Sequence, residues 1–385
     1  MTVKKRKVLY ISGTRADYGL VKATLLCIKN NPKLKLEIIA TGMHLMPEFG
    51  KTINEIKKDG FKIHRIPATY EKDNKESMAI FMGNFTRLLT EKIGEIKPDI
   101  ILVLGDRAEM LAAAIVASCL SIPVAHIHGG EISSTIDDNF RHAITKFSNI
   151  HFPVTKKSGE RIIKMGEDPW RVHVIGAPGL DDVLQSKIVS PQDIAKKYNL
   201  DPAKPILIVV QHPVTIETNL AKKHMNSTMS AVKELGYEAI IIYPNADAGG
   251  RGMIKVIEKY RKFPFIKIYK NIPRADYLSL LNIADAVVGN SSSGILETPY
   301  FHLPTVNIGT RQLGRERAEN VIDVGYKKED IKKAIQKALF DATFKAKAKK
   351  CANPYGGKEM AGPKVTKVIS RVKVNSKLLQ KRLSY

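Results

Sequence analysis

Cysteine is scarce in this chain: Cys27, Cys119 and Cys351 are its only three in 385 residues, far apart and in no CxxC pair. The odd number and wide spacing exclude a disulfide framework and the common zinc sites, and they suit a reducing compartment such as the cytoplasm. Long apolar runs are missing too. The longest, Met110 to Ala125, contains serines and Pro123 and falls short of the roughly 20 residues that span a bilayer. The basic opening is followed by a short apolar stretch that ends at Gly13 and Arg15, below the roughly 7–15 residues of a secretory core. A soluble, cytoplasmic protein with no membrane partner is expected.

Acidic residues are in deficit. Lys and Arg total 62 against 38 Asp and Glu, a formal charge of +24. The lysines are spread over nearly every helical stretch, densest at Lys345–Lys350 and in the tail. No RNA-recognition or helix-turn-helix signature accompanies them, so nucleic acid is not the expected partner. A lysine-rich surface of this kind also steers an anionic substrate.

What is present is a rhythm. Short β-branched runs alternate with helical stretches, the pattern of parallel sheets covered on both faces. Strands are expected at 7–12, 34–41, 61–66, 99–104, 124–127, 150–153 and 172–175, then at 205–211, 238–243, 265–269, 286–289 and 305–308. Ala177-Pro178-Gly179 closes the first series, and the polar stretch Gln185–Lys204 leads into the second. The predicted class is α/β, with two doubly wound parallel-sheet domains at 1–185 and 186–362 facing a central cleft. Domain interfaces and strand carboxyl ends are where ligands sit in such folds.

The densest chemistry lies in His126–Lys146, HIHGGEISSTIDDNFRHAITK, directly after a strand-like run. His126 and His128 share one side of an extended chain by period-two alternation. A metal reading lacks an HExxH or cysteine cluster and a coherent third ligand, so no metal is expected. A metal-free acid/base cluster with Glu131, Asp137 and Asp138 remains, beside the plain alternative of hydrogen-bonded core histidines. Gly105-Asp106-Arg107 ends another apolar strand; Asp106 could act on a ligand or merely cap a helix. Ser12–Gly19 opens a helix, and Gly13 with Arg15 would suit a diphosphate. It has neither GxGxxG nor P-loop spacing, and a plain turn is the alternative.

In the second half, Gln211-His212-Pro213-Val214 follows the first strand, with Pro213 fixing the aim of His212. Gly289-Asn290-Ser291-Ser292-Ser293-Gly294 offers hydroxyls and backbone amides to phosphates. Glu297, expected in the first turn of the next helix, could hold ribose hydroxyls. Asn245 and Asp247 occupy the same edge, as does Arg311 in Gly309-Thr310-Arg311-Gln312.

Taken in order, GTRADYG, GDR, HGGE with TIDD and RHAITK, QHPV, PNADAGG, GNSSSG and GTRQLGRE resemble the hydrolysing UDP-N-acetylglucosamine 2-epimerase family over roughly residues 6–370. The resemblance implies two Rossmann-like domains in the GT-B arrangement, UDP held mainly by the second, and a last helix within 363–385 returning to the first. It also implies a reaction. A base removes the C2 proton, UDP leaves C1 to give a glycal, and water adds with opposite C2 configuration. No redox cofactor is needed. Asp106, Asp137 and His212 match the family's acid/base positions, joined by His128 and Glu131 of the HGGE motif. Arg15, Ala16, Arg107, Asn245, Ser291, Ser292, Gly294, Glu297 and Arg311 form the expected UDP-sugar contacts. Many relatives carry glutamate where this chain has His128; the bacterial branch acting on a UDP-2,4-diacetamido-trideoxyhexose often carries HIHGGE. Nonhydrolysing relatives usually read GTRPE and HRRE instead. UDP-N-acetylglucosamine is the leading expected substrate and the diacetamido sugar the alternative; a nonhydrolysing 2-epimerase and a GT-B glycosyltransferase are the rival readings, and a homodimer is the expected assembly.

Overall fold

The computed structural model describes residues 5–47, 52–69, 75–132, 137–214, 217–245, 248–356 and 359–384. The chain forms two compact units. One holds the residues up to Glu131, Ile136–Leu184 and Tyr355–Tyr385; the other holds Gln185–Pro354 and the short piece 132–135.

In the first unit, β1 (Arg6–Ser12), β2 (Leu34–Ala40), β3 (Ile63–Arg65), β4 (Ile100–Leu104), β5 (Val124–Ile127) and β6 (Ile150–Phe152) pair in parallel in the order β3-β2-β1-β4-β5-β6. The second unit repeats that topology. Its strands are β7 (Ile206–Val210), β8 (Glu238–Ile242), β9 (Ile266–Tyr269), β10 (Ala286–Gly289), β11 (Thr305–Ile308) and β12 (Val321–Val324), ordered β12-β11-β10-β7-β8-β9. This is the doubly wound order, in which strand succession reverses between β1 and β4, and again between β7 and β10. Ligands gather outside the carboxyl ends of strands at such a reversal.

The strands read as unbroken apolar runs because both faces are covered. Along β1, Val8 and Tyr10 enter one buried cluster while Leu9 and Ile11 enter the opposite one. The second of these clusters includes Phe81, Phe85 and Leu89 from the helix Lys75–Ile96. Each such side chain contributes about 1.5–3 kcal/mol when fully buried. The helix Ala361–Arg371 lies on Arg15–Asn30 and inserts Val365 and Ile369 into the first cluster. Asp181 fixes its start, accepting the Ala361 and Gly362 amides at 2.7 Å each.

Two elements differ from the sequence expectation. Residues 172–175 form no strand. Val172 makes only an isolated bridge with His151, while His173 and Ile175 donate to the His151 and Pro153 carbonyls. Conversely, Val321–Val324 is a sheet-edge strand of four residues, none of them fully buried. Its apolar signal is short, and the polar run before it hides it. Among the described residues no helix is long and apolar enough to cross a membrane.

Candidate active site

At the end of β1, Thr14 caps the helix Arg15–Asn30 in a capping box with Asp17. Asp17 accepts the Gly13 and Thr14 amides at 3.0 and 2.7 Å and the Ser12 hydroxyl. Burial pushes its pKa up to about 6, against the pull of those hydrogen bonds. One carboxylate thus ties the turn together. Ala16 is exposed on it, and Arg15 reaches sideways to Glu55 at 2.9 Å.

Beside it, the β4 end supplies Asp106 and Arg107. The Arg107 guanidinium forks onto Glu109, with Nε–Oε2 at 3.2 Å and Nη2–Oε1 at 3.1 Å. Arg141, from the helix Asp137–Phe147, is 2 % exposed at its side chain and pairs through separate nitrogens with Asp106 and, at 2.8 Å, Asp138. Burial pulls the Arg141 pKa down, but Asp106, Glu131 and Asp138 outweigh it and leave it above the ordinary value. A fixed positive charge thus holds two carboxylates.

The β5 end carries the two histidines, and they part ways. His126 is fully buried and donates from Nε2 to the Gly105 carbonyl at 2.7 Å. Burial depresses its pKa to about 3, so it is a neutral strut between strand ends. His128 follows the strand with φ at +64°. Alternation has ended there, which corrects the expectation that both imidazoles share one side. Its Nδ1 lies 3.1 Å from Glu131 Oε1, and its buried Nε2 has no partner among the described residues. A carboxylate accepts only, so in the neutral imidazole Nδ1 carries the proton and Nε2 the lone pair. Asp137 begins the Arg141 helix, but its side chain lies outside the described residues, as does Asp247.

In the second unit, the β7 and β10 ends are clamped together through Asn290. Its Oδ1 accepts the His212 amide at 2.6 Å and its Nδ2 donates to the His212 carbonyl at 2.9 Å. Its own carbonyl accepts from Arg311 Nη1 at 3.1 Å and Gln312 Nε2 at 2.8 Å. The Asn245 amide donates to His212 Nδ1 at 3.0 Å. Burial, then the Arg311 charge, brings the His212 pKa down to about 3. Ser291 and Ser292 are partly exposed on the same turn, and Gly294 is buried beneath it.

Glu297 is not in a first helical turn. The helix is a single turn, Ser293–Leu296, and Glu297 is the residue that closes it. It is 5 % exposed, takes the Ser293 hydroxyl at 2.6 Å, and pairs with Arg274 at 2.6 Å. Ser293 in turn meets the Tyr277 hydroxyl at 2.7 Å. Glu109, Arg274 and the clamping role of Asn290 escape the sequence reading. Asn290 stood within a flagged motif, but Arg274 has no local signal at all. Among the described residues no group of three or more His, Cys, Asp or Glu could hold a metal ion.

Comparison with known proteins places these motifs in company. A family profile described as UDP-N-acetylglucosamine 2-epimerase matches residues 27–370. The UDP-N,N'-diacetylbacillosamine 2-epimerase (hydrolyzing) of Legionella pneumophila is 39% identical over 99% of this chain and 100% of its own length. The UDP-N-acetylglucosamine 2-epimerase of Neisseria meningitidis is 36% identical, covering 89% of each chain. Among solved structures, UDP-GlcNAc 2-epimerase from Neisseria meningitidis bound to UDP-GlcNAc superposes with a TM-score of 0.81 at 16% identity, over 95% of this chain and 100% of that one.

Proposed function

From the premise that the chain belongs to the UDP-N-acetylglucosamine 2-epimerase family, we propose that it is a hydrolysing 2-epimerase of a UDP-linked 2-acetamido sugar. The observation that carries this reading is the pairing of His128 with Glu131 beside the Asp106–Arg141–Asp138 group. Abstraction of a weakly acidic C–H proton needs a base with an unengaged proton-accepting atom, and His128 Nε2, buried and without a partner among the described residues, is assigned that part.

In this mechanism His128 takes the C2 proton. The C–H electron pair becomes the C1=C2 bond, and the C1–O bond breaks with its pair going to the diphosphate. Water then adds its hydroxyl to C1 and a proton to the opposite face of C2, releasing the free epimerised sugar. Asp106, held by Arg141, is assigned to that second proton transfer together with Asp137. The second unit, with Ser291, Ser292, Gly294, Asn245, Glu297 and Arg311, is assigned to UDP. Arg15, Ala16 and Arg107 are assigned to the diphosphate side of the sugar.

The 39% identity to a relative named for the diacetamido sugar, over its whole length, supports UDP-2,4-diacetamido-trideoxyhexose ahead of UDP-N-acetylglucosamine. The sequence alone ranks them the other way. The Neisseria relative at 36% keeps UDP-N-acetylglucosamine as the second reading. Proton NMR of both sugars with the protein in heavy water tests the proposal: UDP and a free 2-epimeric sugar deuterated at C2 are expected. Epimerised UDP-sugar without UDP release would make it nonhydrolysing, and turnover only with an added acceptor would make it a glycosyltransferase.

A further inference from the structure

We propose that Lys381, remote from the site in sequence, is a positioning residue: it caps the end of the helix Asp137–Phe147 and thereby holds Arg141 against Asp106 and Asp138. The chemical part of those acids rests on the reading above, but the cap stands on geometry alone.

The helix ends without the usual stop. The last carbonyls of any helix lack partners within it, and a left-handed residue, most often glycine, commonly turns the chain back to satisfy them. Here Ser148 and Asn149 run straight into β6, and none of residues 147–149 takes a positive φ. The Ser148 amide donates to Ile144 O at 2.9 Å. The Lys146 and Ser148 carbonyls instead accept from Lys381 Nζ, at 2.7 and 2.6 Å, with the Thr145 carbonyl at 3.3 Å. An ammonium has three hydrogens, and the Glu167 carboxylate at 2.7 Å takes the third. A cation at this end also complements the helix dipole.

The backbone that delivers this lysine is pinned. Buried Arg171 donates to the Lys377, Leu378 and Gln380 carbonyls at 2.8, 2.7 and 3.1 Å. Asn149 Nδ2 reaches the Leu378 carbonyl at 3.0 Å, while its Oδ1 accepts the Val124 amide at the start of β5, also at 3.0 Å. The Leu378 side chain enters the first apolar cluster. Lys381 is thus built into the first unit, unlike the lysines of the solvated surface.

The capped turn touches both halves of the site's framework. Thr145 lies one turn, about 5.4 Å, beyond Arg141. Its hydroxyl donates to the Arg141 carbonyl at 3.0 Å and lies 3.4 Å from His126 Nδ1. A Cβ on Gly129 would run into His126 Nδ1 and crowd Thr145 Oγ1, so the turn that carries His128 packs directly on this helix end. A slide or tilt of the helix therefore moves Arg141 against Asp106 and Asp138, its two ion-pair partners. Misplacing reacting groups by about 1 Å can cost 10²-fold in rate.

Nitrogen-15 NMR on arginine-labelled protein, with Arg141→Lys to assign the Arg141 Nε–H signal, reads the guanidinium's surroundings without any turnover. Lys381→Met keeps the aliphatic stem and removes the cap. It should shift that signal and lower kcat by about 10–10²-fold, with KM for the UDP-sugar changing far less. Lys381→Arg restores a cation with donors for the carbonyls and should recover the signal and most of kcat. If Lys381→Met does not stay folded, Lys381→Gln, which keeps amide N–H donors without the charge, is read in the same way. A lowered thermal midpoint with the Arg141 signal and kcat both as in wild type would make Lys381 a structural fastening only and overturn the proposal. Absence of any UDP-sugar turnover by wild type would instead overturn the functional reading, with the Arg141 signal still deciding whether the cap positions the helix.

Discussion

His128 turns its Nδ1 onto the Glu131 carboxylate at 3.1 Å from a left-handed backbone position, φ +64°. The bend lifts the imidazole out of the strand's alternation and leaves Nε2 without a partner among the described residues. His128→Gln keeps a polar side chain of similar reach but removes the basic atom. It is expected to lower kcat by about 10²–10⁴-fold and to abolish C2 deuterium wash-in, with the thermal midpoint little changed. Retained exchange at C2 in this variant would assign the base elsewhere.

Gly130 sits two residues beyond that histidine with φ at +74°, and a Cβ there would meet the Ser158 carbonyl oxygen and the Ile162 side chain. The backbone of the 128–131 turn and that of the helix Lys156–Lys164 are therefore in direct apposition. Gly130→Ala combines a left-handed penalty of about 1–2 kcal/mol with a backbone clash that no rotamer relieves. Urea denaturation should show a loss exceeding that penalty alone, with activity falling as the turn is displaced. Wild-type stability would show that the turn relaxes freely.

The strand pattern was readable because each central strand is buried on both faces. An unbroken run such as Ile100–Leu104 has few other uses. The signal failed at the margins. Residues 172–175 are as β-branched as a strand but touch β6 through one bridge, whereas Val321–Val324 gains its identity from lying beside β11. At the site, the sequence marks residues clustered at strand ends, and Thr14 with Asp17 has capping-box spacing. What it cannot show is which atom of a side chain is already engaged. The split between His126 as a strut and His128 as a partner of a carboxylate depends on Gly105 lying across from one and Glu131 from the other.

Arg141 is a buried cation paired with both Asp106 and Asp138, whose carboxylates are 26 % and 20 % exposed. Arg141→Met removes the charge while keeping apolar volume. Breaking a buried pair on one side costs about 3–5 kcal/mol, and the partial exposure of both acids puts the expected loss near the lower end. Arg141→Lys keeps the charge but cannot bond both acids through separate fork nitrogens, so it should recover stability more than kcat. Chemical denaturation beside steady-state kinetics separates the two, and equal recovery of both by lysine would count against a positioning role.

At the β6 edge of the first sheet, a buried carboxylate helps to fasten the chain's tail. Glu167, 1 % exposed, meets Lys146 at 2.7 Å, Lys381 at 2.7 Å and His151 at 3.0 Å. Burial alone would raise its pKa, but these partners overcome that and hold it at about 2 against an ordinary 4.5. The folded state thus binds this proton less readily than the unfolded chain. Its contribution is present above pH 4.5 and is lost as pH falls from about 4.5 towards 2. Lys381 behaves differently: burial brings it down to about 8 from 10.5, so on its account stability rises between those values. Glu167→Gln should flatten the acid limb of stability against pH and cost about 3–5 kcal/mol at neutral pH. It should also raise hydrogen exchange at the 376–381 amides, where Arg171 binds the Leu378 and Lys377 carbonyls. An acid limb identical to wild type would place the titrating group elsewhere.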